Sequence, residues 1–433
     1  MATINWTKGA AENVLLDSRG RWSLVKGASG VLPSGTIVSA TQDFGNAKRI
    51  QLRWIAQWTA PLHWQKHPGN PIYGPIKSKA VNKSGAWDSW TNGVSIVPTV
   101  DGKGYRMYYS GDDGEGIGFA EASIQDPLTW KENPASPVLK PLKNWEGNKI
   151  NQPRVVILTP EHWLMYYTGW GFKGPGSSWA MGIAESFDSG TTWKRWSDKP
   201  FLERGDIESP DGGAAMVPMV LRVGERWMMW YTGVKVSHQG HDNIHLCLAT
   251  SNDAFHWDKY TDNPVLTDDF SDGAKRSVTS RCFVRHDDGV FRMWYSFGKP
   301  GYCICYAESL DGIAWEKAPI APVLGPSRGS GWDSSIVEYP EVQIVDGLFR
   351  LWFCGNGYGK VGYAQGKPET GVHIHVRTGD TREPDASWTH WLQVEREQSV
   401  DTKRYIQVRG TLWSHTPMLS PTLNQVAINI QSL

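Results

Sequence analysis

Five stretches of the chain repeat one pattern: Met107-Tyr-Tyr-Ser-Gly111, Met165-Tyr-Tyr-Thr-Gly169, Met229-Trp-Tyr-Thr-Gly233, Met293-Trp-Tyr-Ser296 and, more loosely, Leu351-Trp-Phe-Cys-Gly355. Aromatic and β-branched residues in such runs are typical of β-strands. The copies recur about every 60 residues, which is long enough for one four-stranded blade of a propeller. The sequence therefore predicts an all-β chain whose main part is a five-bladed β-propeller.

A second pattern follows each of the first four copies: a short strand beginning with Ala, a polar turn, a Trp, and a Pro followed two residues later by Leu. The four segments cover residues 120–139, 184–202, 249–266 and 307–324, and their tryptophans are Trp130, Trp193, Trp257 and Trp315. The fifth copy keeps only the first half of this pattern, in residues 362–365. Residues 64–72 carry the missing Trp and Asn-Pro spacing. We predict that this segment completes the fifth blade and closes the ring, which removes an open sheet edge.

The composition narrows the classes of function. Among 433 residues, Lys plus Arg equals Asp plus Glu at 44 each, so there is no positive field to favour nucleic-acid or membrane-surface partners. The five cysteines have no zinc or redox spacing. We expect no cofactor, although a structural Ca²⁺ in the axis is compatible with the fold. Residues 1–10 lack the pattern of a secretion signal, and an extracellular or virion-associated location is the favoured expectation.

The two ends of the chain fall outside the repeat and read as short strands. We predict three parts: residues 1–60 and 371–433 together form one accessory β-sandwich, and residues 61–370 form the propeller. The sandwich is interpreted either as a stabilising module, through which the chain could form a homo-oligomer, or as a sugar-binding module. The 24 tryptophans suit both blade packing and stacking on sugar rings, and composition alone does not separate these uses.

The turn Ser186-Phe-Asp188-Ser-Gly190-Thr-Thr192-Trp193 resembles the Asp-box of sialidases and other propellers. In such a turn the Asp side chain satisfies backbone amides, and the Trp packs between sheets. We therefore predict a structural role for Asp188 rather than a catalytic one.

A carboxylate precedes the first strand of several repeats. Glu146, Asp211 and Asp333 each stand seven residues before a Pro, and Trp precedes two of them (Trp145 and Trp332). Trp87-Asp88 stands ten residues before Pro98, which suggests three extra residues. Such a carboxylate is either a turn residue needed once per blade or a group that reaches the mouth of the channel. Asp88 is our first catalytic candidate because the extra residues would reshape that strand start.

Charged residues on the apolar inner strands are costly to bury unless they are paired or face water, so we expect them at the axis. Strand alternation predicts that Glu338 and Glu341 face opposite sides, and we prefer Glu338 as the channel residue. The alternative for Glu338 is a structural ion pair with an arginine. The residues predicted to bind substrate are Arg154, Arg276, Arg281, Trp87, Trp170, Asn151 and Trp332.

The combined pattern of Trp-Asp, Pro-x-Val, Met-Trp-Tyr-Ser/Thr-Gly and Asn-Pro-Val-Leu resembles the five-bladed glycoside hydrolases of families 43, 32, 68 and 130 over residues 62–367. The resemblance implies carboxylates from different blades acting as acid and base around the axis. Glu338-Tyr-Pro resembles the Glu-x-Pro around the general acid of family 43, and Glu208-Ser-Pro has the same form. The Asp-Pro of families 43 and 32 is replaced by Val97-Pro98. The catalytic candidates are Asp88, Glu208, Asp211, Glu338 and Asp333.

Several functions stay open at this point. The first is a glycosidase that acts on an oligo- or polysaccharide, with Asp88 as base or nucleophile and Glu208 or Glu338 as acid. The second is a non-catalytic sugar-recognition propeller, such as part of a phage receptor-binding protein. The third is a sialidase-like enzyme, in which arginines would clamp a substrate carboxylate. A transglycosylase or a phosphorylase is also open, since the arginines could hold phosphate.

Overall fold

The computed structural model describes residues 2–4, 6, 9–18, 21–28, 30–57, 59–74, 91–111, 115–171, 179–236, 243–267, 279–287, 289–298, 301–318, 320–356, 359–395, 397–415 and 420–430. These residues form five four-stranded sheets, two six-stranded sheets and a two-stranded ribbon, with one short 3-10 helix at Asn144–Glu146. The all-β class is confirmed, and the succession of four-stranded sheets fits a propeller. The chain divides into two compact units, one from 63–286 and 291–366, the other from 1–62, 287–290 and 367–433.

The larger unit contains the four-stranded sheets, each an antiparallel meander. The first sheet consists of Thr91–Pro98, Gly104–Gly111, Gly116–Ser123 and Lys131–Glu132, and the second of Ile150–Ile157, Trp163–Trp170, Trp179–Ser186 and Lys194–Arg195. The third consists of Ala214–Val223, Arg226–Lys235, Asn243–Ser251 and Asp258–Lys259, and the fourth of Thr279–Asp287, Val290–Gly298, Tyr302–Ser309 and Glu316–Lys317. The fifth consists of Val337–Val345, Leu348–Gly355, Val361–Gly366 and Gln65–Lys66. Its last strand pairs Gln65 with Gln365, so the prediction that residues 64–72 complete this sheet is confirmed.

The Ser or Thr of the repeated pattern joins each sheet to the next. In four cases its hydroxyl accepts a hydrogen bond from a backbone amide in the first strand of the following sheet. These contacts are Gln152 N to Ser110 Oγ (2.8 Å), Val217 N to Thr168 Oγ1 (2.9 Å), Arg281 N to Thr232 Oγ1 (3.2 Å) and Tyr339 N to Ser296 Oγ (3.3 Å). In the fifth sheet Cys354 takes this place, and the amide of Gly93 in the first sheet donates to its thiol. The five sheets are therefore linked in a closed ring.

The repeated tryptophans pack between sheets. Each one meets, nearly edge-on, the first aromatic residue of the Met-aromatic-aromatic pattern in the preceding sheet. The pairs are Trp193 with Tyr108, Trp257 with Tyr166, Trp315 with Trp230, Trp64 with Trp294 and Trp130 with Trp352, with ring centroids 5.7, 5.9, 6.1, 6.5 and 6.4 Å apart. The last pair again joins the first sheet to the fifth. These five indoles are therefore part of the packing between sheets.

The smaller unit has two six-stranded sheets, and each takes strands from both ends of the chain. Terminal sheet 1 contains Ala2–Thr3, Val14–Leu16, Trp22–Leu24, Arg49–Gln57, Ser399–Asp401 and Thr422–Ile430. Terminal sheet 2 contains Ala10–Glu12, Ser34–Val38, Gln42–Asp43, Thr370–Gly379, Leu392–Val394 and Tyr405–Ser414, and the ribbon pairs Lys26–Gly27 with Gly30–Val31. One hydrophobic cluster draws residues from both sheets, including Leu52 and Ile428 from the first and Ile374 and Leu412 from the second.

Candidate functional site

The first strands of the first, second, third and fifth four-stranded sheets carry a β-bulge near their starts. At each bulge, and at the equivalent place in the fourth sheet, one residue has a positive φ, in the left-handed region that favours glycine. The five residues are Gly93, Gln152, Val217, Arg281 and Tyr339, with φ of 58°, 53°, 57°, 47° and 55°. Four of the five are not glycine, and the hydroxyl contacts between neighbouring sheets hold all four of these backbones in place. The unusual backbone at these positions is therefore stabilised by contacts between neighbouring sheets.

These bulges line a small cavity of about 30 Å³ to which all five first strands contribute. Its lining residues are Gly93, Val94, Gln152, Pro153, Arg154, Val217, Pro218, Met219, Arg281, Cys282, Tyr339, Pro340 and Glu341. Equivalent positions of five strands meet here, so the cavity lies on the axis of the ring. It has room for water but is far too small for a sugar ring.

Glu341 lines this cavity and is buried. Arg154 of the second sheet donates to both of its carboxylate oxygens from Nη1, at 3.1 Å each. Burial raises the pKa of Glu341 to about 7, because the attraction of Arg154 offsets only part of the desolvation. The residue is thus poised to hold or release a proton near neutral pH.

Glu338 is also buried and lies 3.2 Å from Nη1 of Arg281, which lines the cavity. Burial raises the pKa of Glu338, and Arg281 lowers it in part. The expectation that Glu338 and Glu341 face opposite sides is wrong. Glu338 pairs with Cys354 and Glu341 with Trp352, so the extra residue of the bulge turns both to one face. Of the two, it is Glu341 that lines the cavity.

The residue just before each bulge forms a second ring around the axis: Asn92, Asn151, Met216, Ser280 and Glu338. Within the described residues, Asn92 Oδ1 and Asn151 Oδ1 are buried and accept no hydrogen bond, and Glu338 Oε2 faces Nη1 of Arg281 at 3.2 Å without the geometry of a hydrogen bond. The neighbouring Gln152 Oε1 is likewise buried and accepts no hydrogen bond from the described residues. The side-chain nitrogen of Gln152 donates to the Tyr339 hydroxyl at 3.0 Å. Unsatisfied buried acceptors are costly, so this ring calls for donors from water or a ligand.

The repeated carboxylates before the first strands are anchored within their own sheets. Each is buried and forms an ion pair with a cation from the outermost strand: Glu146 with Arg195 (2.7 Å), Asp211 with Lys259 (2.6 Å) and Asp333 with Lys66 (2.5 Å). Glu146 and Asp211 also accept a hydrogen bond from a tyrosine of the second strand, Tyr167 and Tyr231. Burial acts to raise the pKa of Glu146, but its hydrogen bonds outweigh burial and lower it. None of the three lines the cavity, which favours the structural alternative for Asp211 and Asp333.

The predicted substrate-binding tryptophans have packing partners. Trp332 stacks on Phe353 with ring centroids 5.5 Å apart, over glycines of the second and third strands where a Cβ would clash with it. Trp145 occupies the same place on Tyr167. Trp170 stacks on Trp179 at 4.6 Å, and the ammonium of Lys149 lies 4.4 Å from its ring. These contacts occupy ring surface that a sugar would need.

Among the remaining candidates, Glu208 is exposed on the segment before the third sheet. Asp88, Trp87 and Arg276 lie outside the described residues. The three extra residues expected after Asp88 are not found, because the bulge puts Val94, and not Pro98, level with Pro153. Asp88 therefore stands six residues before this position, close to the seven of the other sheets, and the argument that singled it out is wrong.

The described residues contain no group of three or more His, Cys, Asp or Glu arranged to hold a metal ion. No helix in this part of the chain has the length and apolar character needed to cross a membrane.

Sequence comparison finds relatives without a described function. No family profile matches the chain. The uncharacterized protein Rv1502 of Mycobacterium tuberculosis strain H37Rv is 29% identical over 293 residues, which are 63% of this chain and 92% of that protein. The uncharacterized protein MT1551 of strain CDC 1551 matches to the same extent.

Several solved structures similar to the chain are described as glycoside hydrolases. One described as a glycoside hydrolase has a TM-score of 0.54 and 18% identity, over 72% of this chain and 93% of its own. A second structure comes from work on family 130, described as mannoside phosphorylases with hydrolases that target β-1,2 mannosidic linkages in Candida mannan. It has a TM-score of 0.51 and 16% identity, over 72% of this chain and 94% of its own. A thermostable family 43 glycoside hydrolase has a TM-score of 0.50 and 15% identity, over 72% of this chain and 99% of its own. The chain thus has the fold of these proteins, and the predicted resemblance is confirmed at that level.

Proposed function

We propose that the five four-stranded sheets are the blades of a propeller and that the chain is a glycosidase acting on an oligo- or polysaccharide. The observation that carries this proposal is the ring of Asn92, Asn151 and Glu338 at one level of the axis, where the two Oδ1 atoms accept no hydrogen bond within the described residues and Glu338 Oε2 faces Arg281 without hydrogen-bond geometry. Sugar hydroxyls are donors of the required kind, and glycoside hydrolases share the fold. The small axial cavity would keep the sugar above it, at the end where the first strands begin.

Glu338 is the proposed general acid. Its burial raises its pKa, which favours the protonated carboxyl that must deliver a proton to the leaving oxygen. Arg281, 3.2 Å away, would stabilise the carboxylate that remains after proton transfer. Glu341 and Arg154 lie deeper, and we assign them to electrostatic support of this group.

A second carboxylate must act at the anomeric carbon, directly or through water. We place Glu208 first for this role, because it is exposed on a segment that leads into a first strand. Asp88 is the second choice. Its Trp-Asp pattern matches Trp332-Asp333, and Asp333 is held by Lys66.

A non-catalytic sugar-recognition propeller is the second candidate function. The observation that favours it is that Glu338 is the single carboxylate among the five described positions just before the bulges, beside Asn92, Asn151, Met216 and Ser280. An acidic-sugar or phosphate clamp at the axis is less favoured, because Glu341 and Glu338 already engage Arg154 and Arg281.

We further propose that residues 61–370 form the catalytic domain. The two terminal sheets would then be the faces of an accessory β-sandwich, built from residues 1–60 and 371–433. Their shared hydrophobic cluster supports this arrangement. A homo-oligomer would form through this sandwich.

The deciding experiment measures both turnover and binding. The wild type is assayed against polysaccharides of varied pentose, hexose and uronic acid content, and the best substrate is used for variants. Glu338→Gln should lower kcat at least a hundredfold while leaving the dissociation constant within a few fold. Glu208→Gln should do the same, and Glu203→Gln, exposed on the same segment, serves as the matched control. Binding without turnover in the wild type would establish the recognition protein instead, and full activity of Glu338→Gln would refute the assigned acid.

A further inference from the structure

The outward face of terminal sheet 2 carries an unusual set of side chains. Its two central strands, Thr370–Gly379 and Tyr405–Ser414, alternate strictly between the hydrophobic cluster and the other face. On that other face, cross-strand pairs place His375 beside Arg409 and Arg377 beside Gln407. We call the group of His373, His375, Arg377, Trp391, Gln407 and Arg409 the basic aromatic face.

Trp391 lies at the centre of this face. The guanidinium of Arg377 is 4.6 Å from its ring, and that of Arg409 is 4.7 Å away. Each of the two guanidiniums is attracted to the negative face of the indole ring. The tryptophan thus positions two planar donor groups side by side at a half-buried surface.

The two guanidiniums have no counter-ion within the described part of the chain. Neither Arg377 nor Arg409 takes part in an ion pair there, whereas Arg404, at the end of the same strand, is paired with Asp43 at 2.9 Å. Arg377 instead donates to the amide oxygen of Gln407 from Nε and Nη2, at 2.9 and 2.6 Å. By strand pairing Asp43 lies opposite Tyr405 on this face, where it is engaged by Arg404, and Glu12 lies three strands away from His373.

Unused nitrogens mark the same place. Arg409 Nε, His375 Nδ1 and Trp413 Nε1 are hidden from water and have no hydrogen-bond partner in the described residues. Burial and the neighbouring Arg409 both lower the pKa of His375 and of Arg377, as expected where like charges crowd together. An anion bound at the exposed ends of the two guanidiniums would relieve this repulsion.

We propose that the basic aromatic face binds an anionic polysaccharide whose sugar units carry carboxylate or sulfate groups. Planar guanidiniums bind such groups through paired hydrogen bonds. The chain as a whole has no net charge, so the attraction is local to this face. This site lies in the smaller unit and does not depend on catalysis by the larger one.

The test measures binding of the full chain to two matched pairs of polymers: polygalacturonate with its carboxyl-reduced form, and dextran sulfate with dextran. We expect the wild type to bind a charged polymer at least tenfold more tightly than its neutral partner, and the two pairs distinguish carboxylate from sulfate. Arg377→Gln with Arg409→Gln should weaken binding at least tenfold. Arg404→Gln, at the end of the same strand and paired with Asp43, should stay within twofold.

Three outcomes would overturn the proposal: no preference for either charged polymer, equally tight binding of double-stranded DNA, or an equal loss in Arg404→Gln. Should the double variant fail to fold by circular dichroism, Arg409→Lys answers the question. It keeps the charge but loses the paired hydrogen bonds, so affinity should fall several-fold with the melting temperature unchanged, and unchanged affinity would count against the site.

Discussion

The backbone amide of Gly93 donates a hydrogen bond to the Sγ atom of Cys354, and this contact joins the first sheet to the fifth. It takes the place that the Ser110, Thr168, Thr232 and Ser296 hydroxyls hold between the other sheets. Cys354 is fully buried, so the thiol acts as a packing group and an acceptor rather than as a reactive site. The contact that joins the fifth sheet to the first is therefore of the same kind as the contacts between the other neighbouring sheets.

Cys354→Ser should therefore be tolerated, and Cys354→Val should not. Serine restores the hydroxyl found in the other sheets, whereas valine fills the volume but leaves the buried amide of Gly93 without its acceptor, at a cost of about 1–3 kcal/mol. Urea unfolding of the three proteins measures the difference. Equal stability of the valine and serine variants would mean that the amide contact contributes nothing to closure.

Asp333→Asn should destabilise the chain without changing turnover per folded molecule. The change leaves Lys66 facing an amide in a buried pair whose carboxylate is only 4% exposed, and breaking such a pair costs about 3 kcal/mol. Guanidinium unfolding and an assay at a temperature where both proteins are folded give the two readouts. Asp198→Asn is the matched control, because its side chain is 85% exposed and its pair with Lys143 should contribute little.

Asp88→Asn tests whether Asp88 belongs to the same set. Since Trp87-Asp88 repeats Trp332-Asp333, we expect it to lose stability as Asp333→Asn does. A large loss of kcat with unchanged unfolding would instead restore Asp88 as a catalytic group. A structural role predicts a loss of stability with kcat unchanged, and a catalytic role predicts the reverse, so one purified variant decides between them.

The sequence reveals the fold far better than the site. The Met-aromatic-aromatic repeat and the Trp of each outer segment are local patterns, and Gln65 does complete the fifth sheet as predicted. The orientation of Glu341 could not be read in this way. It depends on a positive φ at Tyr339, a residue that rarely adopts one, and that backbone is held by the Ser296 hydroxyl of another sheet. Strand alternation fails wherever a tertiary contact inserts such a bulge.

The same limit applies to the repeated carboxylates. A carboxylate before a strand looks identical in sequence whether it faces substrate or an ion-pair partner. Lys66 lies 267 residues away from Asp333 in the chain, so no local pattern could have linked them. The repeat itself was the usable signal, because a group needed in several blades is more readily structural than catalytic.

Asp188→Ala should lower stability by about 1 kcal/mol and leave any activity intact. The carboxylate accepts hydrogen bonds from the amides of Thr191 and Thr192 and from the hydroxyls of Thr192 and Ser186. Burial acts against the charge, but these hydrogen bonds dominate and lower the pKa of Asp188 to about 2. The stability it provides should thus be present above pH 4 and lost as the pH falls toward 2. Acid unfolding followed by tryptophan fluorescence measures this, and a variant that unfolds at the same pH as the wild type would argue against it.

Glu341 should make the chain less stable as the pH rises from about 4.5 to 7. Its pKa in the folded chain is raised to about 7 by burial, so the folded state binds a proton in this range that the unfolded state has already released. Stability is therefore fully present below the unfolded pKa and falls by up to roughly 3 kcal/mol as the pH passes the folded pKa. Urea unfolding at pH 5 and pH 8 measures the slope, and Glu341→Gln should remove most of it. Glu397→Gln, at an exposed site with its side chain 48% accessible, should leave the slope unchanged. If Glu341→Gln keeps the full pH dependence, the proton resides elsewhere, and Arg154 holds Glu341 charged throughout.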